Sequence, residues 1–366
     1  MHFIFDEFET DVYISKEIPV IQEIAHGLGA DANSSSFKPL FVVDENTEYA
    51  AKKICESRNF PCCVLKSGEE YKNWQTAETI IEAAIKAGLD RDGVFIAAGG
   101  GVICDVTAFA ASVYKRGCGL VLVPTTLLCM VDASVGGKTG FDHSGMKNLV
   151  GSFYPAKAVY IPVEVLSTLP KKEWKNGMAE IIKTAILSGD DFLEQLTVYK
   201  EQLTKNSEQI TVIKDFIERS VTFKGGIVSE DLRESENGKR KLLNLGHTFG
   251  HALESAAGLG NVSHGEAVAW GIIRACELGC ELGITTALRA EKIRDVIASF
   301  GYETSVPHPL APDAGALFNA MKNDKKKLGG KMTFIVPDEK SACPVMIESE
   351  TELELLKNIL NGSKKC

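Results

Sequence analysis

The stretch VFIAAGGGVICDVTAFAASVYKRG at residues 94–117 decides the fold that this sequence predicts. It begins with an apolar run of six residues, continues with three glycines at 99–101, and ends in a helical pattern. A glycine loop between a strand and a helix lets backbone N–H groups approach a phosphate, and the helix dipole favours the anion. Cys104 occupies the third position of a GxGxxG fingerprint, so this signal is weak by itself.

Four other short apolar runs have the same character, and helical segments such as 76–89 separate them. These runs are LFVVD at 40–44, PCCVLK at 61–66, LVLVP at 120–124 and AVYIP at 158–162. Continuous apolar runs are typical of strands that are buried on both faces of a parallel sheet. The alternation of strands and helices predicts a Rossmann-like α/β domain over residues 1–172, with ligands at the carboxyl ends of its strands.

After about residue 172 the pattern changes to long amphipathic stretches. They run over 175–200, 207–229, 241–257, 264–283, 290–300 and 313–326. A late hairpin is predicted at 331–337 and 343–348, followed by a terminal helix from Thr351. Residues 173–366 are therefore expected to form a mostly α-helical second domain.

Composition limits the classes of partner. The net charge of −9 gives the whole molecule no attraction for nucleic acid or for an anionic membrane. No apolar run reaches membrane-spanning length. Ten cysteines are scattered without paired metal spacing, which favours reduced thiols in a cytoplasmic protein.

Three of the seven histidines lie in LLNLGHTFGHALE at 242–254 and HGEA at 264–267. His247 and His251 are four residues apart, so a helix projects both from one face. With His264 from the next element they suit Zn²⁺ or a similar ion, completed by a carboxylate from elsewhere. Glu180 is a candidate for that carboxylate. The alternatives are structural histidines and a surface ion pair between Glu180 and Lys183.

A second glycine-rich stretch, VDASVGGKTGFDHSGMKN at 131–148, holds several polar groups among small residues. Its Lys138 and Lys147 are suitable partners for phosphate or carboxylate groups. The alternative is a solvated surface loop. The run NDKKK at 323–327 is, taken alone, most typical of a solvated face.

In their order along the chain, these motifs resemble the 3-dehydroquinate synthases, of the wider sugar phosphate cyclase family. The resemblance covers nearly the whole chain. The motifs that carry it include GEEYK (68–72), GGGVICD (99–105), VPTTLL (123–128), VDASVGGKTG (131–140), KNLVGSFY (147–154), NGMAEIIK (176–183), RKLLNLGHTFGHALE (240–254) and HGEAVAWG (264–271).

The resemblance implies cofactors and roles for named residues. One divalent ion, zinc or cobalt, would be bound by Glu180, His247 and His264, while His251 would serve in substrate binding and proton transfer. NAD would be bound by Asp44, Asn46, Glu69, Lys72, Gly100, Gly101, Asp105, Thr125, Thr126, Lys147 and Thr168. The sugar phosphate substrate would be met by Arg116, Asp132, Lys138, Asn148, Lys183, Lys224, Arg240, Asn244, His251 and Lys325.

The family reaction converts 3-deoxy-D-arabino-heptulosonate 7-phosphate to 3-dehydroquinate and phosphate in the shikimate pathway, and the resemblance implies a homodimer. Two departures stand out: the family usually has glycine where Cys104 stands, and the stretch 231–238 is about two residues longer. Glu234 is the nearest candidate for the family's acidic position there. Alternative functions are a sibling cyclase acting on another sugar phosphate, a metal-dependent polyol dehydrogenase, and a non-catalytic sensor.

Overall fold

The computed structural model describes residues 1–204, 209–258, 260–306, 308–311, 313–327 and 332–362, without the side chains of 204, 209 and 323–327. The strands are β1 (His2–Phe5), β2 (Phe8–Ser15), β3 (Pro39–Asp44), β4 (Cys62–Leu65), β5 (Val94–Gly99), β6 (Gly119–Pro124), β7 (Lys138–His143), β8 (Met146–Phe153), β9 (Ala158–Pro162), β10 (Met332–Pro337) and β11 (Ala342–Ile347). The α-helices are α1 (Ile21–Gly27), α2 (Glu48–Cys55), α3 (Trp74–Lys86), α4 (Gly101–Val113), α5 (Lys171–Ser188), α6 (Asp190–Val198), α7 (Lys200–Thr204), α8 (Gln209–Glu230), α9 (His247–Ala257), α10 (His264–Glu281), α11 (Ala287–Ser299), α12 (Ala314–Lys327) and α13 (Glu350–Leu360).

The chain forms two compact units. The first unit comprises Met1–Trp174 and Ile210–Ser235, and the second comprises Lys175–Gln209 and Glu236–Cys366. The sequence predicted one change of domain near residue 172, whereas α8 belongs to the first unit. Helix α8 packs so closely there that a Cβ on Gly225 would lie 2.3 Å from the ring of Phe3.

A seven-stranded sheet organises the first unit, in the order β1-β2-β9-β6-β5-β3-β4. Only β1 is antiparallel to its neighbour, and the pairings from β2 to β4 are parallel. All residues of β3, β5 and β9 are buried. The predicted α/β class is therefore confirmed, because the continuous apolar runs are the central strands of a sheet covered on both faces.

The second glycine-rich stretch, 131–148, enters an antiparallel hairpin at Lys138, whereas a surface loop was the alternative that the sequence left open. Strand β7 pairs with β8 from Lys138↔Phe153 to His143↔Met146. Glycines allow the two backbones to approach, since a Cβ on Gly151 would lie 2.0 Å from the carbonyl oxygen of Thr139. The polar residues of this stretch are therefore held on a paired backbone.

The second unit is mostly helical, and the predicted helical C-terminal region is confirmed. Its strands β10 and β11 form the expected hairpin, and α13 begins after Ser349, whose hydroxyl accepts a hydrogen bond from the N–H of Glu352. Helix α10 is almost wholly buried, with Trp270 and Arg274 completely enclosed.

Cysteine chemistry differs from the expectation at one position. Among the described residues, eight cysteines are free thiols, as predicted, but Cys280 is disulfide-bonded. Burial raises the pKa of Cys55 and Cys63 to about 11 and that of Cys276 to about 12, so these thiols stay protonated near neutral pH.

Among the helices that the structure describes, none combines the length and the apolar character that a bilayer crossing requires.

Strand β5 gives a direct test of the core. Ile96 is fully buried in it, whereas Ile85 in α3 is 64% exposed. We expect Ile96→Ala to lower the free energy of unfolding by about 2–5 kcal/mol, because it leaves a cavity in a packed core. The matched variant Ile85→Ala should change it by less than about 0.5 kcal/mol. Urea denaturation measures both, and equal losses would contradict the central place of β5.

Candidate functional site

The second unit buries a carboxylate at its centre. Glu180 lies on α5 with 1% of its surface exposed, and Lys183, one turn later, is 2% exposed. The Nζ atom of Lys183 lies 2.5 Å from Oε2 of Glu180. The pair is therefore not the surface ion pair that the sequence allowed. A buried carboxylate of this kind requires compensating charge or a bound cation.

Two imidazoles approach the same carboxylate. His247 and His264 are the first residues of α9 and α10, and their Nε2 atoms lie 3.9 and 3.3 Å from Oε1 of Glu180. The ligand atoms of the three residues all lie within 4.8 Å of one another. A tetrahedral ion with ligands at about 2.1 Å holds them about 3.4 Å apart. The group is thus close to the spacing of a first coordination shell.

The protonation of His247 also fits a metal ligand. Its Nδ1 atom lies 3.2 Å from the carbonyl oxygen of Leu245, which can only accept, so Nδ1 carries the proton and Nε2 offers its lone pair. Burial and the charge of Lys183 hold the pKa of His247 well below its usual value. A neutral imidazole is the form that coordinates metals.

The charge on Glu180 is likewise stabilised. Burial opposes ionisation, but Lys183, His264 and His247 together hold the pKa of Glu180 well below its usual value. Within the described part of the chain, neither carboxylate oxygen accepts a hydrogen bond of regular geometry. Two imidazoles and a carboxylate whose oxygens can still accept are ligands that suit Zn²⁺ or Co²⁺. Three protein ligands leave a fourth coordination position for a substrate oxygen.

The other predicted residues of the second unit lie on α9, in the segment before it and on α12. The ring of His251 is 5.4 Å from that of His247, centroid to centroid, and its side chain is exposed. Arg240 is 3% exposed in a 3₁₀ helix, Lys239–Asn244, that also contains Asn244. Lys325 lies in α12, and its side chain is outside the described residues.

In the first unit, the glycine loop joins β5 to α4. Gly100 precedes the first residue of α4, and a Cβ there would lie 3.1 Å from Cγ2 of Thr126. The N–H of Thr125 donates to the carbonyl oxygen of Gly99, which ties the ends of β5 and β6 together. This arrangement leaves a backbone surface at a helix N-terminus, where a pyrophosphate can be bound.

Lys72 contacts two other predicted residues of the first unit, Asp105 and Asn148. Its Nζ atom lies 2.6 Å from Oδ2 of Asp105 and 2.6 Å from Oδ1 of Asn148. Burial opposes its charge, but Asp105 and Glu69 raise the pKa of Lys72. The ammonium group therefore stays charged and ties the β7–β8 hairpin to α4.

Two more lysines have carboxylate partners. The Nζ atom of Lys224 on α8 donates to both the carbonyl oxygen and Oδ1 of Asp132, each at 2.6 Å. Lys138 forms an ion pair with Glu234 in the longer 231–238 stretch. The ion pairs Lys224–Asp132 and Lys138–Glu234 each join residues that are far apart along the sequence, so the sequence alone did not predict them.

The remaining predicted nucleotide and substrate residues differ in burial. Asp44 is buried, and its Oδ1 accepts hydrogen bonds from the N–H groups of residues 46 and 47, so it also shapes the turn before α2. The exposed side chains are Asn46, Glu69, Arg116, Lys147 and Thr168.

Sequence reasoning passed over two residues that organise the site. Asp142 accepts a hydrogen bond from the N–H of Asn148 at 2.7 Å, and Asn176 accepts one from the N–H of Gly265 at 3.1 Å. Asn176 lies one helical turn before Glu180 and begins the motif NGMAEIIK at 176–183, and these are the signals that could have found it.

Comparison with known proteins identifies two family models. The model of the 3-dehydroquinate synthase N-terminal region matches residues 62–176, and the model of the C-terminal region matches residues 177–327. A 3-dehydroquinate synthase of Prochlorococcus marinus is 39% identical over 297 residues, which cover 80% of this chain and 79% of that protein.

Two solved structures resemble the whole chain. The 2-epi-5-epi-valiolone synthase of Streptomyces hygroscopicus subsp. jinggangensis, with NAD⁺ and Zn²⁺ bound, has a TM-score of 0.83 and 25% identity, covering 98% of both chains. A 2-deoxy-scyllo-inosose synthase in complex with carbaglucose-6-phosphate, NAD⁺ and Co²⁺ has a TM-score of 0.78 and 25% identity, covering 99% of both chains.

The histidine cluster can be tested by metal content. We expect the wild-type chain to retain one Zn²⁺ after dialysis and His264→Ala to lose it, because two ligands hold the ion far more weakly than three. Atomic absorption measures the ratio of zinc to protein. His2→Ala is the control, since His2 is exposed and pairs only with Asp11 among the described contacts. Full zinc occupancy in His264→Ala would refute this ligand set.

Proposed function

We propose that this chain, which belongs to the 3-dehydroquinate synthase family, converts 3-deoxy-D-arabino-heptulosonate 7-phosphate to 3-dehydroquinate and phosphate. The observation that carries the proposal is the buried cluster of Glu180, His247 and His264 in a chain matched by both family models. The proposed cofactors are NAD⁺ and one divalent ion, zinc or cobalt. Support comes from the ligand chemistry of the cluster and from the two similar structures that contain them.

We propose that the first unit binds NAD⁺ and that the second unit binds the divalent ion. When bound, NAD⁺ supplies a transient oxidation at C5 of the substrate, and the divalent ion makes the C5 hydroxyl a stronger acid. Glu180, His247 and His264 would hold the ion. The loop at 99–101 would hold the pyrophosphate at the start of α4, where a side chain on Gly100 would intrude. Because the oxidation at C5 is later reversed, phosphate loss and ring closure involve no net redox change.

Cationic residues suit a substrate that carries both a carboxylate and a phosphate. The ammonium group of Lys224 is fixed by two contacts to Asp132, so it offers a charge at a defined position. The guanidinium group of Arg240 is almost fully buried, where an ionic hydrogen bond is stronger than at the surface. Both cationic groups would thus be available to the anionic groups of the substrate although the chain as a whole is acidic.

His251 is the proposed proton carrier. It lies on the same face of α9 as His247, one turn later, but its ring is exposed while that of His247 is turned towards Glu180. An imidazole that is not a ligand can accept and release a proton near neutral pH. The two histidines thus have separate tasks.

A sibling sugar phosphate cyclase is the second candidate, because both similar structures reported above are of that kind. The greater identity to a 3-dehydroquinate synthase, 39% against 25%, favours the first candidate.

We further propose that the enzyme acts in the cytoplasm, in the shikimate pathway, as a homodimer. The eight free thiols of the described residues support a reducing compartment, whereas the disulfide of Cys280 argues against it. Light scattering on the purified chain would test the dimer.

The catalytic use of NAD⁺ separates a synthase from a dehydrogenase. We expect substoichiometric NAD⁺ to support many turnovers of phosphate release, with no net accumulation of NADH, because the hydride returns to the substrate. Phosphate release and absorbance at the NADH band are followed together with purified enzyme, metal and the heptulosonate phosphate. NADH that rises one-for-one with consumed substrate would identify a polyol dehydrogenase instead.

Arg240 tests recognition of the carboxylate. Loss of a buried charged partner costs on the order of 2–5 kcal/mol, so Arg240→Ala should lower kcat/KM for the heptulosonate phosphate about 30-fold or more. Arg91→Ala, at an exposed position, is the control. The wild-type enzyme is also given sedoheptulose 7-phosphate, which lacks the carboxylate. Faster cyclisation of that sugar would overturn the synthase assignment in favour of a sibling cyclase.

A further inference from the structure

The ion-binding cluster depends on two helices that meet at one point. Glu180 lies within α5, and His264 is the first residue of α10. Their ligand atoms can share one ion only if the N-terminus of α10 is fixed against α5. The contacts that fix it involve neither ligand side chain.

The first contact is a helix cap that comes from another helix. The first N–H groups of a helix have no partner within it, and a side chain usually supplies one. In α10 the hydroxyl of Ser263 accepts from the N–H of Glu266 at 3.4 Å. The N–H of Gly265 instead donates to Oδ1 of Asn176 on α5, at 3.1 Å. One cap is thus local, and the other joins the two helices.

The second contact is a close approach of backbones. A Cβ on Gly265 would lie 2.6 Å from Cα of Asn176 and 2.9 Å from the carbonyl oxygen of Lys175. Backbone atoms cannot move aside as a flexible side chain can. Any larger residue at 265 would therefore push the start of α10 away from α5. Asn176 itself is only 7% exposed, so solvent does not readily replace its contact.

The third contact joins a neighbouring segment to the same place. The Nζ atom of Lys175 lies 3.3 Å from Oε2 of Glu266 and donates to the carbonyl oxygen of Gly301 at 2.7 Å. The other oxygen of Glu266 accepts from the N–H of Glu303 at 2.6 Å. These contacts hold the segment after α11 over the junction, outside the ligand cluster.

We propose that Asn176 is a positioning residue of the metal site: by capping α10 from α5, it holds Nε2 of His264 against the carboxylate of Glu180. The inference rests on the proposed function, in that the cluster is taken as the enzyme's metal site. Asn176 lies one turn before Glu180, and Gly265 directly follows His264. The hydrogen bond of Asn176 therefore helps to set the separation of two ligands that lie on different helices. Groups that orient metal ligands commonly contribute 10–100-fold to metal affinity.

The test measures metal affinity, not turnover. The full-length chain is stripped of metal and titrated with Zn²⁺ against a chromogenic chelator, as wild type, Asn176→Ala and Ser263→Ala. Both variants remove a cap from the same helix end, but only the first removes the link to α5. We expect Asn176→Ala to bind Zn²⁺ about tenfold or more weakly, and Ser263→Ala to stay within about threefold of wild type. The visible spectrum of bound Co²⁺ should change in Asn176→Ala alone.

Zinc affinity of Asn176→Ala within threefold of wild type, or an equal loss in Ser263→Ala, would overturn the proposal. If Asn176→Ala does not fold, Gly265→Ala replaces it, with Gly226→Ala in α8 as control, since a Cβ at 226 would meet no atom within 4 Å. Gly265→Ala should weaken Zn²⁺ binding, and unchanged binding would again refute the proposal. Because turnover is not measured, a chain that fails as a synthase can still show the expected affinities.

Discussion

A carboxylate buried almost completely beside a lysine is the constraint on which the second unit depends. Moving an isolated carboxylate from water into a protein interior is very unfavourable, so Glu180 must be surrounded by positive charge or donors. Lys183 provides the charge from the same helix, and two imidazoles approach from α9 and α10. The cluster is thus both the candidate metal site and a condition on how three helices pack.

Helix packing meets this condition through glycines. A Cβ on Gly271 of α10 would lie 2.1 Å from the carbonyl oxygen of Gly246, and one on Gly250 would lie 2.9 Å from that of Ala267. Helices α9 and α10 therefore approach more closely than larger residues would permit. His247 directly follows Gly246. The close approach therefore fixes His247 relative to α10, the helix that begins with His264.

The sequence predicted the strands that are buried on both faces and missed several that have both buried and exposed residues. Strands β3, β5 and β9 are buried on both faces, so each is a continuous apolar run. Strand β2 has a mixed burial pattern near the sheet edge, and its acidic residues hid it. The β7–β8 hairpin resembled a loop because close pairing there requires glycine, as at Gly140 with a φ of +156°. Propensity alone does not distinguish such a glycine from one in a turn.

In the candidate site, the sequence likewise did not reveal contacts between residues that are far apart along the chain. Helical spacing placed His247 and His251 on one face, but it could not decide which is a ligand, because that depends on Glu180 from another helix. Nor could it predict that Glu234 would meet Lys138, since the two residues lie 96 positions apart along the sequence. Glu234 has a φ of +53°, a conformation that few residues other than glycine adopt. From this turn the carboxylate of Glu234 reaches Lys138. The ion pair thus depends on a backbone conformation that spacing along the sequence does not reveal.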